Sequence, residues 1–119
     1  MFVWIALLAC APDEGTGECL HDPPLEYDTY GQGFLEQFCT GCHSSQVPEE
    51  LRNSAPVGVD FDSYGAVLQW QERIRARTEP DAPTMPPGGG PTVEQLDDFR
   101  EWLDCSVSRD YDVVYGGGG

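Results

Sequence analysis

The segment TYGQGFLEQFCTGCH, residues 29–43, joins a helical pattern of apolar residues to a dense group of cysteine and histidine side chains. Phe34, Leu35 and Phe38 lie one and four positions apart, which places them on one face of a helix. We therefore predict a helix over about residues 29–41, whose apolar face packs against the rest of the domain.

The helix runs into Cys39-Thr40-Gly41-Cys42-His43, which is the CxxCH pattern of c-type haem attachment. Two thiols at this spacing can reach the two vinyl groups on one edge of a porphyrin, and the next residue places an imidazole under the iron. Cys39 and Cys42 are the expected thioether residues, and His43 is the expected proximal iron ligand. The small Gly41 lets the backbone run close to the ring.

Two other uses of a CxxC pattern fit less well. A structural zinc site needs four ligands, and the chain has neither a second CxxC nor a pair of histidines near each other. A thioredoxin-type dithiol belongs in a βαβ setting, which the sequence lacks. A zinc or disulfide module therefore stays an alternative, and one covalent haem c is the expected cofactor.

Met85 is the candidate for the second axial ligand of the iron. It is the only methionine besides Met1, and it lies in the Pro- and Gly-rich stretch 79–91, where no core is expected. Pro86 disposes Met85 toward an extended backbone, so a stiff loop can present the thioether. His/Met ligation raises the reduction potential of a haem. The rival ligand is His21, whose ordinary interpretation is an exposed histidine before the first helix.

Two further helices are predicted, over about residues 63–78 and about 92–104. Both carry apolar residues at helical spacing, namely Val67, Trp70 and Ile74 in one and Leu96, Phe99 and Leu103 in the other. The alternation of Val57, Val59 and Phe61 is typical of a short extended piece. The stretch 106–119 ends in four glycines and is predicted to be a flexible tail.

The charge is strongly acidic. The 119 residues carry 21 acidic and 6 basic side chains, for a formal net charge of -15. Such a surface repels nucleic acid and anionic lipid head groups. It would speed the encounter with a basic protein, and the alternative is that the charge only keeps the protein in solution. We therefore expect no nucleic-acid partner.

The N-terminal nine residues, MFVWIALLA, are apolar and uncharged. They are too few to span a bilayer and are typical of a signal peptide. Leu7-Leu8-Ala9-Cys10 resembles a lipobox, which predicts a lipid on Cys10 and a tether and lead-in over 10–27. An ordinary signal peptide or a stray apolar terminus are the alternatives. The expected location is the periplasm or cell envelope, with membrane contact only through the anchor.

Over about residues 29–104 the chain resembles the small class I cytochromes c. That family has a Gly eight residues before the first haem Cys and an aromatic residue or Leu four before it, as Gly31 and Leu35 stand here. Its distal loop often reads Met-Pro, as Met85-Pro86 does. The resemblance implies an all-α cytochrome c-like fold over 28–105, with three main helices around a largely buried haem.

The resemblance also implies how the terminal helices meet. In the family the N-terminal helix crosses the C-terminal helix at nearly a right angle, and Leu96, Phe99 and Trp102 lie where the C-terminal helix supplies its contacts. The chain is closer still to predicted haem-binding lipoproteins of myxobacterium-like bacteria. These have one Cys before the first helix and one after the last, which implies a Cys19–Cys105 disulfide.

These features predict an electron carrier rather than an enzyme. No acid–base pair, nucleophile constellation or phosphate loop is visible in the sequence. The iron would pass single electrons with both axial positions filled, to a redox partner with a basic face that docks at the exposed thioether edge. The alternative is a haem sensor in which Met85 yields to a diatomic ligand.

Overall fold

A computed structural model of the chain describes residues 19–116. The signal peptide predicted at 1–9, the lipid attachment predicted at Cys10 and residues 117–119 of the predicted tail lie outside the described residues. Within 19–116 every regular element is helical and no strand occurs, which confirms the predicted all-α class. No helix in this part of the chain is both long and apolar enough to cross a membrane.

The first helix, α1, comprises Gln32–Phe38 and follows without a break from a π-helical turn over Tyr27–Gly31. The run starts slightly earlier than predicted, where the Glu26 amide donates to Thr29 Oγ1 over 3.3 Å. It also ends earlier, because the amides of residues 39 and 40 both donate to the Leu35 carbonyl, and the bond from residue 40 closes a wider turn that ends the α-helical ladder. The CxxCH segment therefore lies just beyond the helix.

The second helix, α2, comprises Tyr64–Arg77. Its N-cap is Ser63, whose hydroxyl accepts a hydrogen bond from the Ala66 amide at 3.2 Å. The connector from α1 contains one 3-10 turn, Glu49–Leu51, and no strand. The predicted extended piece is wrong. No strand forms at Val57, Val59 and Phe61, and Val57 is 68% exposed.

The third helix, α3, comprises Val93–Trp102. It begins with a reciprocal capping box in which the Gln95 amide donates to Thr92 Oγ1 at 3.1 Å and the Thr92 amide donates to Gln95 Oε1 at 2.8 Å. The helical path continues beyond Trp102 to Gly116 through a π segment, a short helix α4 over Ser108–Tyr111, and a final π segment.

The flexible tail predicted over 106–119 is therefore wrong for residues 106–116. The apolar stripe of α3 continues through Val107, which is fully buried. Asp110 accepts a hydrogen bond from the Tyr64 hydroxyl at 2.6 Å, and Arg109 forms an ion pair with Glu26 at 2.8 Å. These contacts hold the chain helical after the predicted end of the domain.

The core forms where the first and last helices meet. Gly31 lies against the indole ring of Trp102, and the rings of Phe34 and Phe99 stack with centroids 4.0 Å apart. α2 adds residues to the same cluster. The buried apolar residues are Phe34, Leu35, Phe61, Val67, Leu68, Ile74, Leu96, Phe99, Trp102, Leu103 and Val107.

The lead-in before α1 is attached to the C-terminal helical run. Cys19 and Cys105 form a disulfide with their Cα atoms 5.9 Å apart, the pairing that the resemblance implies. Two residues further on, the His21 amide donates to Glu101 Oε2 at 2.8 Å, and the Ser106 hydroxyl donates to the Leu25 carbonyl. The first described residues are thus held covalently and by hydrogen bonds.

Candidate functional site

The Cys39–His43 segment forms a tight turn at the end of α1. The amides of Cys42 and His43 both donate to the Cys39 carbonyl, at 3.1 and 2.9 Å. Both cysteines are partly buried free thiols and are not bonded to each other. The turn therefore presents two reduced sulfurs and one imidazole within five residues.

His43 is held by the connector that follows it. Its Nδ1 atom lies 2.7 Å from the Val59 carbonyl oxygen, and its ring packs against Phe61 with centroids 4.8 Å apart. A carbonyl can only accept, so Nδ1 carries a proton, and Nε2 is the nitrogen whose lone pair can bind a metal. The Phe61 amide also donates to the His43 carbonyl at 2.9 Å. An Nδ1–H bonded to a backbone carbonyl is the usual arrangement of a metal-ligating histidine.

Arg52 is the residue of this site that the sequence did not indicate. It follows the 3-10 turn of the connector, and only 2% of its side chain is exposed. Its guanidinium forms a 2.5 Å ion pair with Asp60. An isolated Arg in a loop rich in Ser, Pro and Gly gives no periodic or motif signal, so burial was visible only in three dimensions.

The thiol of Cys39 differs from that of a redox-active dithiol. Burial, with a smaller effect of the neighbouring Cys42, raises the pKa of the Cys39 thiol to about 12. Thiol–disulfide exchange uses cysteines whose pKa is lowered, because the thiolate is the nucleophile. The protonated Cys39 therefore disfavours a thioredoxin-like role for this CxxC.

A zinc site also fits poorly. In the described part of the chain, three ligand atoms of His, Cys, Asp or Glu residues converge at His21, Asp98 and Glu101, within 4.8 Å of one another. The donor atoms of the CxxCH turn form no such group there. Tetrahedral zinc needs its ligands to meet at one point, and the described residues show no such convergence at the turn.

Met85 lies in a loop that is fixed at both ends. The amides of Thr84 and Met85 donate to the Arg77 carbonyl at 2.9 and 3.0 Å, which ties the loop to the end of α2. Further along, Gly90 lies against Phe38, and a Cβ at residue 90 would be 3.4 Å from that ring. The loop thus reaches the end of α1 from which the CxxCH turn begins. The Met85 side chain is partly buried.

His21 lies at α3 instead. Its Nδ1 atom is 3.0 Å from Glu101 Oε2, and 41% of its side chain is exposed. Burial opposes the charge on Glu101, but the hydrogen bonds from the backbone and side chain of His21 outweigh it and lower the pKa of that carboxyl. The structure engages the rival ligand in a contact with α3 rather than with the CxxCH turn.

A small acidic cleft of about 110 Å³ lies beside the turn. It is lined by Tyr27, Gln32, Leu35, Glu36, Thr40, Ser44, Phe61 and Asp62. Burial, with the charges of Glu36 and Asp62, raises the pKa of the Tyr27 hydroxyl. The wall of the cleft therefore carries two carboxylates next to Thr40, inside the CxxCH motif.

In comparisons with protein-family models, curated proteins and solved structures, no match to the chain was found.

Proposed function

We propose that this chain is a small monohaem c-type cytochrome of the class I type, which carries one covalent haem and passes single electrons. The observation that carries the proposal is His43. It follows two free thiols at the attachment spacing, and its Nδ1–H is bonded to the Val59 carbonyl, so that Nε2 is free to bind iron.

The donor set fits a c-type haem. Cys39 and Cys42 would hold the porphyrin by thioether bonds, His43 would supply the imidazole and Met85 the thioether sulfur. A haem bound in this way supplies an iron that cycles between the ferrous and ferric states. The chain's own part is to hold the imidazole in one tautomer and orientation, and to keep the Met85 loop anchored at Arg77.

Exposed apolar surface near the site supports the same assignment. Leu51 and Val57, both in the connector that holds His43, are 66% and 68% exposed. Large apolar side chains in one loop leave surface that a bound hydrophobic group would cover.

The packing of the terminal helices is a second support. The contact of Gly31 with Trp102 joins the turn before α1 to α3 at positions that the resemblance to class I cytochromes c names, and Phe34, next to Leu35, stacks on Phe99 of α3. A glycine is needed at residue 31 because no side chain fits beneath the indole ring. The same contacts would hold the end of α1, and the CxxCH turn that follows it, in a fixed position beside α3.

We further propose that the protein is exported and works with a basic redox partner. A Cys19–Cys105 disulfide is typical of an oxidising compartment outside the cytoplasm. A lipid on Cys10 would then be the only attachment to a membrane. The net charge of -15 and the carboxylates of Glu36 and Asp62 beside the turn favour a cationic docking face.

An optical spectrum of the protein made together with the c-type maturation machinery tests the proposal. We expect one covalent haem, sharp low-spin bands in both oxidation states, and no change when carbon monoxide is added to the reduced form. Met85→Ala should remove the ferric methionine-to-iron band, and Cys39→Ser with Cys42→Ser should abolish covalent attachment. His21→Asn is the control and should leave the spectrum unchanged.

Other outcomes separate the alternatives. A high-spin spectrum, or one that shifts readily with carbon monoxide, would replace the carrier by a haem sensor with a displaceable Met85. Loss of the low-spin bands in His21→Asn would move the second ligand to His21. Protein that matures without haem would refute both haem functions and leave a zinc or disulfide module.

A further inference from the structure

Arg52 is buried in the connector that holds His43, and its guanidinium makes five hydrogen bonds, three of them from Nη2. A buried guanidinium is costly unless its N–H groups are all directed at acceptors. Here the donors reach four backbone carbonyls and one carboxylate. The acceptors are Ala55 O at 3.2 Å, Ser44 O at 2.6 Å, Pro56 O at 2.8 Å, Val59 O at 3.4 Å and Asp60 Oδ1 at 2.5 Å.

Two of these acceptors belong to the immediate surroundings of His43. Ser44 O is the carbonyl of the residue that follows His43, and Arg52 Nη1 fixes it at 2.6 Å. Val59 O is the atom that accepts the His43 Nδ1–H at 2.7 Å, and Arg52 Nη2 reaches the same oxygen at 3.4 Å through a donor that it shares with nearer acceptors. One guanidinium therefore braces both the backbone after the histidine and the carbonyl that orients its ring.

The shared carbonyl has an electronic consequence. An oxygen that accepts from a cation has less electron density to offer a second donor, so the His43 Nδ1–H bond is polarised less. The outer hydrogen bond of a ligating imidazole sets how strongly the ring donates to the metal. A weaker Nδ1–H bond makes the ring a poorer donor, which disfavours the ferric state.

Asp60 limits the direct effect of the charge. Its carboxylate faces Arg52 at 2.5 Å and is only 18% exposed, so the pair as a whole is close to neutral. With the pair intact, Arg52 acts on His43 through the Val59 carbonyl rather than as a free positive charge. Removing Asp60 would release that charge beside the same carbonyl.

We propose that Arg52 is a positioning residue for His43 and that the Arg52–Asp60 pair sets the reduction potential of the haem iron through the Val59 carbonyl. This inference rests on the proposed haem function. The effect of Arg52 is transmitted by one backbone oxygen and requires no contact of the guanidinium with the porphyrin or the iron.

The test is the midpoint potential of the haem-loaded protein, measured in two variants that act in opposite directions. Arg52→Lys keeps the positive charge but loses the planar fork that reaches several carbonyls, so the potential should fall. Asp60→Asn keeps Arg52 but leaves its charge uncompensated, so the potential should rise. Arg73→Lys, an exposed change on α2, is the control and should leave the potential at the wild-type value.

A second readout follows His43 directly. In the reduced haem-loaded protein, the His43 Nδ1 proton should exchange with solvent about five- to tenfold faster in Arg52→Lys, because the carbonyl that holds it has lost its brace. Asp60→Asn should change the chemical shift of the same proton. Merely structural damage would lower the unfolding midpoint in both variants without moving the two potentials in opposite directions.

The outcomes are separable. If Arg52→Lys does not fold, the test rests on Asp60→Asn, which retains the guanidinium. A midpoint potential that rises in Asp60→Asn supports the proposal, and one that falls contradicts it. Wild-type protein that loads haem, with both variants at the control potential, would overturn the role of Arg52 and leave the cytochrome proposal standing. Wild-type protein without haem would overturn both.

Discussion

Gly31 lies beneath the indole ring of Trp102 with no room for a side chain. A methyl group built at residue 31 would overlap three carbons of that ring. Trp102 is completely buried, so its ring cannot turn aside into solvent. The turn before α1 thus contacts the end of α3 at a residue that has to be glycine.

We expect Gly31→Ala to lower the free energy of unfolding by about 1–3 kcal/mol or more, because the added methyl group forces Trp102 or the helix to move. Urea unfolding of the purified protein measures the effect. Gly33→Ala, two residues further on, is the matched control. Nothing lies within 4 Å of a Cβ at Gly33, so we expect no loss and up to about 1 kcal/mol of gain in helix propensity. Equal effects of the two changes would contradict the close contact.

A second pair of changes tests the helical end of the chain. Val107 is fully buried, whereas Val113 in the same helical run is 74% exposed. Val107→Ala should lower the free energy of unfolding by about 1–3 kcal/mol, because it leaves a cavity. Val113→Ala should change it by less than about 0.5 kcal/mol.

Thermal or urea unfolding of both variants decides the matter. If the segment from residue 106 onward were flexible, neither change would alter the free energy of unfolding. An unchanged free energy in Val107→Ala would therefore support the predicted tail.

The helices could be predicted from local pattern, and the error over 106–116 has an identifiable cause. Leu96, Phe99, Leu103 and Val107 continue one stripe at helical spacing, so a signal for the longer helix was present. The four terminal glycines favour a flexible end, and the prediction extended that flexibility back to residue 106. Its stability comes from side chains far along the chain, such as Tyr64 with Asp110, and no local pattern reveals those partners.

The candidate site divides in the same way. Cys39, Cys42 and His43 could be predicted as site residues because the CxxCH motif consists of residues that are neighbours in the sequence. The acceptor for His43 Nδ1 is a backbone carbonyl at Val59, and every residue type has such a carbonyl. The burial of Arg52 could not be predicted from the sequence either, since its acceptors are mostly main-chain oxygens that only the folded connector brings together.

A pH dependence follows from the contact between His21 and Glu101. Hydrogen bonds from His21 hold the pKa of the Glu101 carboxyl below its usual value near 4.5, although burial acts in the other direction. A lowered pKa in the folded protein contributes stability that is complete above the unfolded pKa and is lost as the pH falls through the folded value. Glu101→Gln should therefore cost about 1–2 kcal/mol at pH 7 and progressively less below about pH 4.5.

Urea unfolding of wild type and variant from pH 7 to pH 3 measures that difference. Asp97→Asn, an exposed carboxylate on the same helix, is the control and should give a smaller difference at pH 7. A difference between wild type and Glu101→Gln that grows toward pH 3 would contradict the assignment.

The acidic surface predicts how the proposed cytochrome reacts with small redox reagents. A net charge of -15 should make the rate with a trivalent cation, hexaammineruthenium, fall by about tenfold or more as salt is raised. The rate with an anionic reagent, ferricyanide, should rise over the same range. Stopped-flow absorbance of the haem bands records both. If both rates were independent of ionic strength, the acidic surface would give no support for a basic partner.

The Cys19–Cys105 disulfide has a mechanical consequence. A stretching force applied through the two ends of the chain enters at Cys19, crosses the sulfur–sulfur bond and leaves along the C-terminal helical run. The covalent path of the force therefore bypasses residues 20–104, and tension reaches them only through side-chain contacts with the C-terminal run, such as that of Tyr64 with Asp110. The CxxCH turn, the Arg52 connector and the Met85 loop all lie within this bypassed segment, off the covalent path of the force.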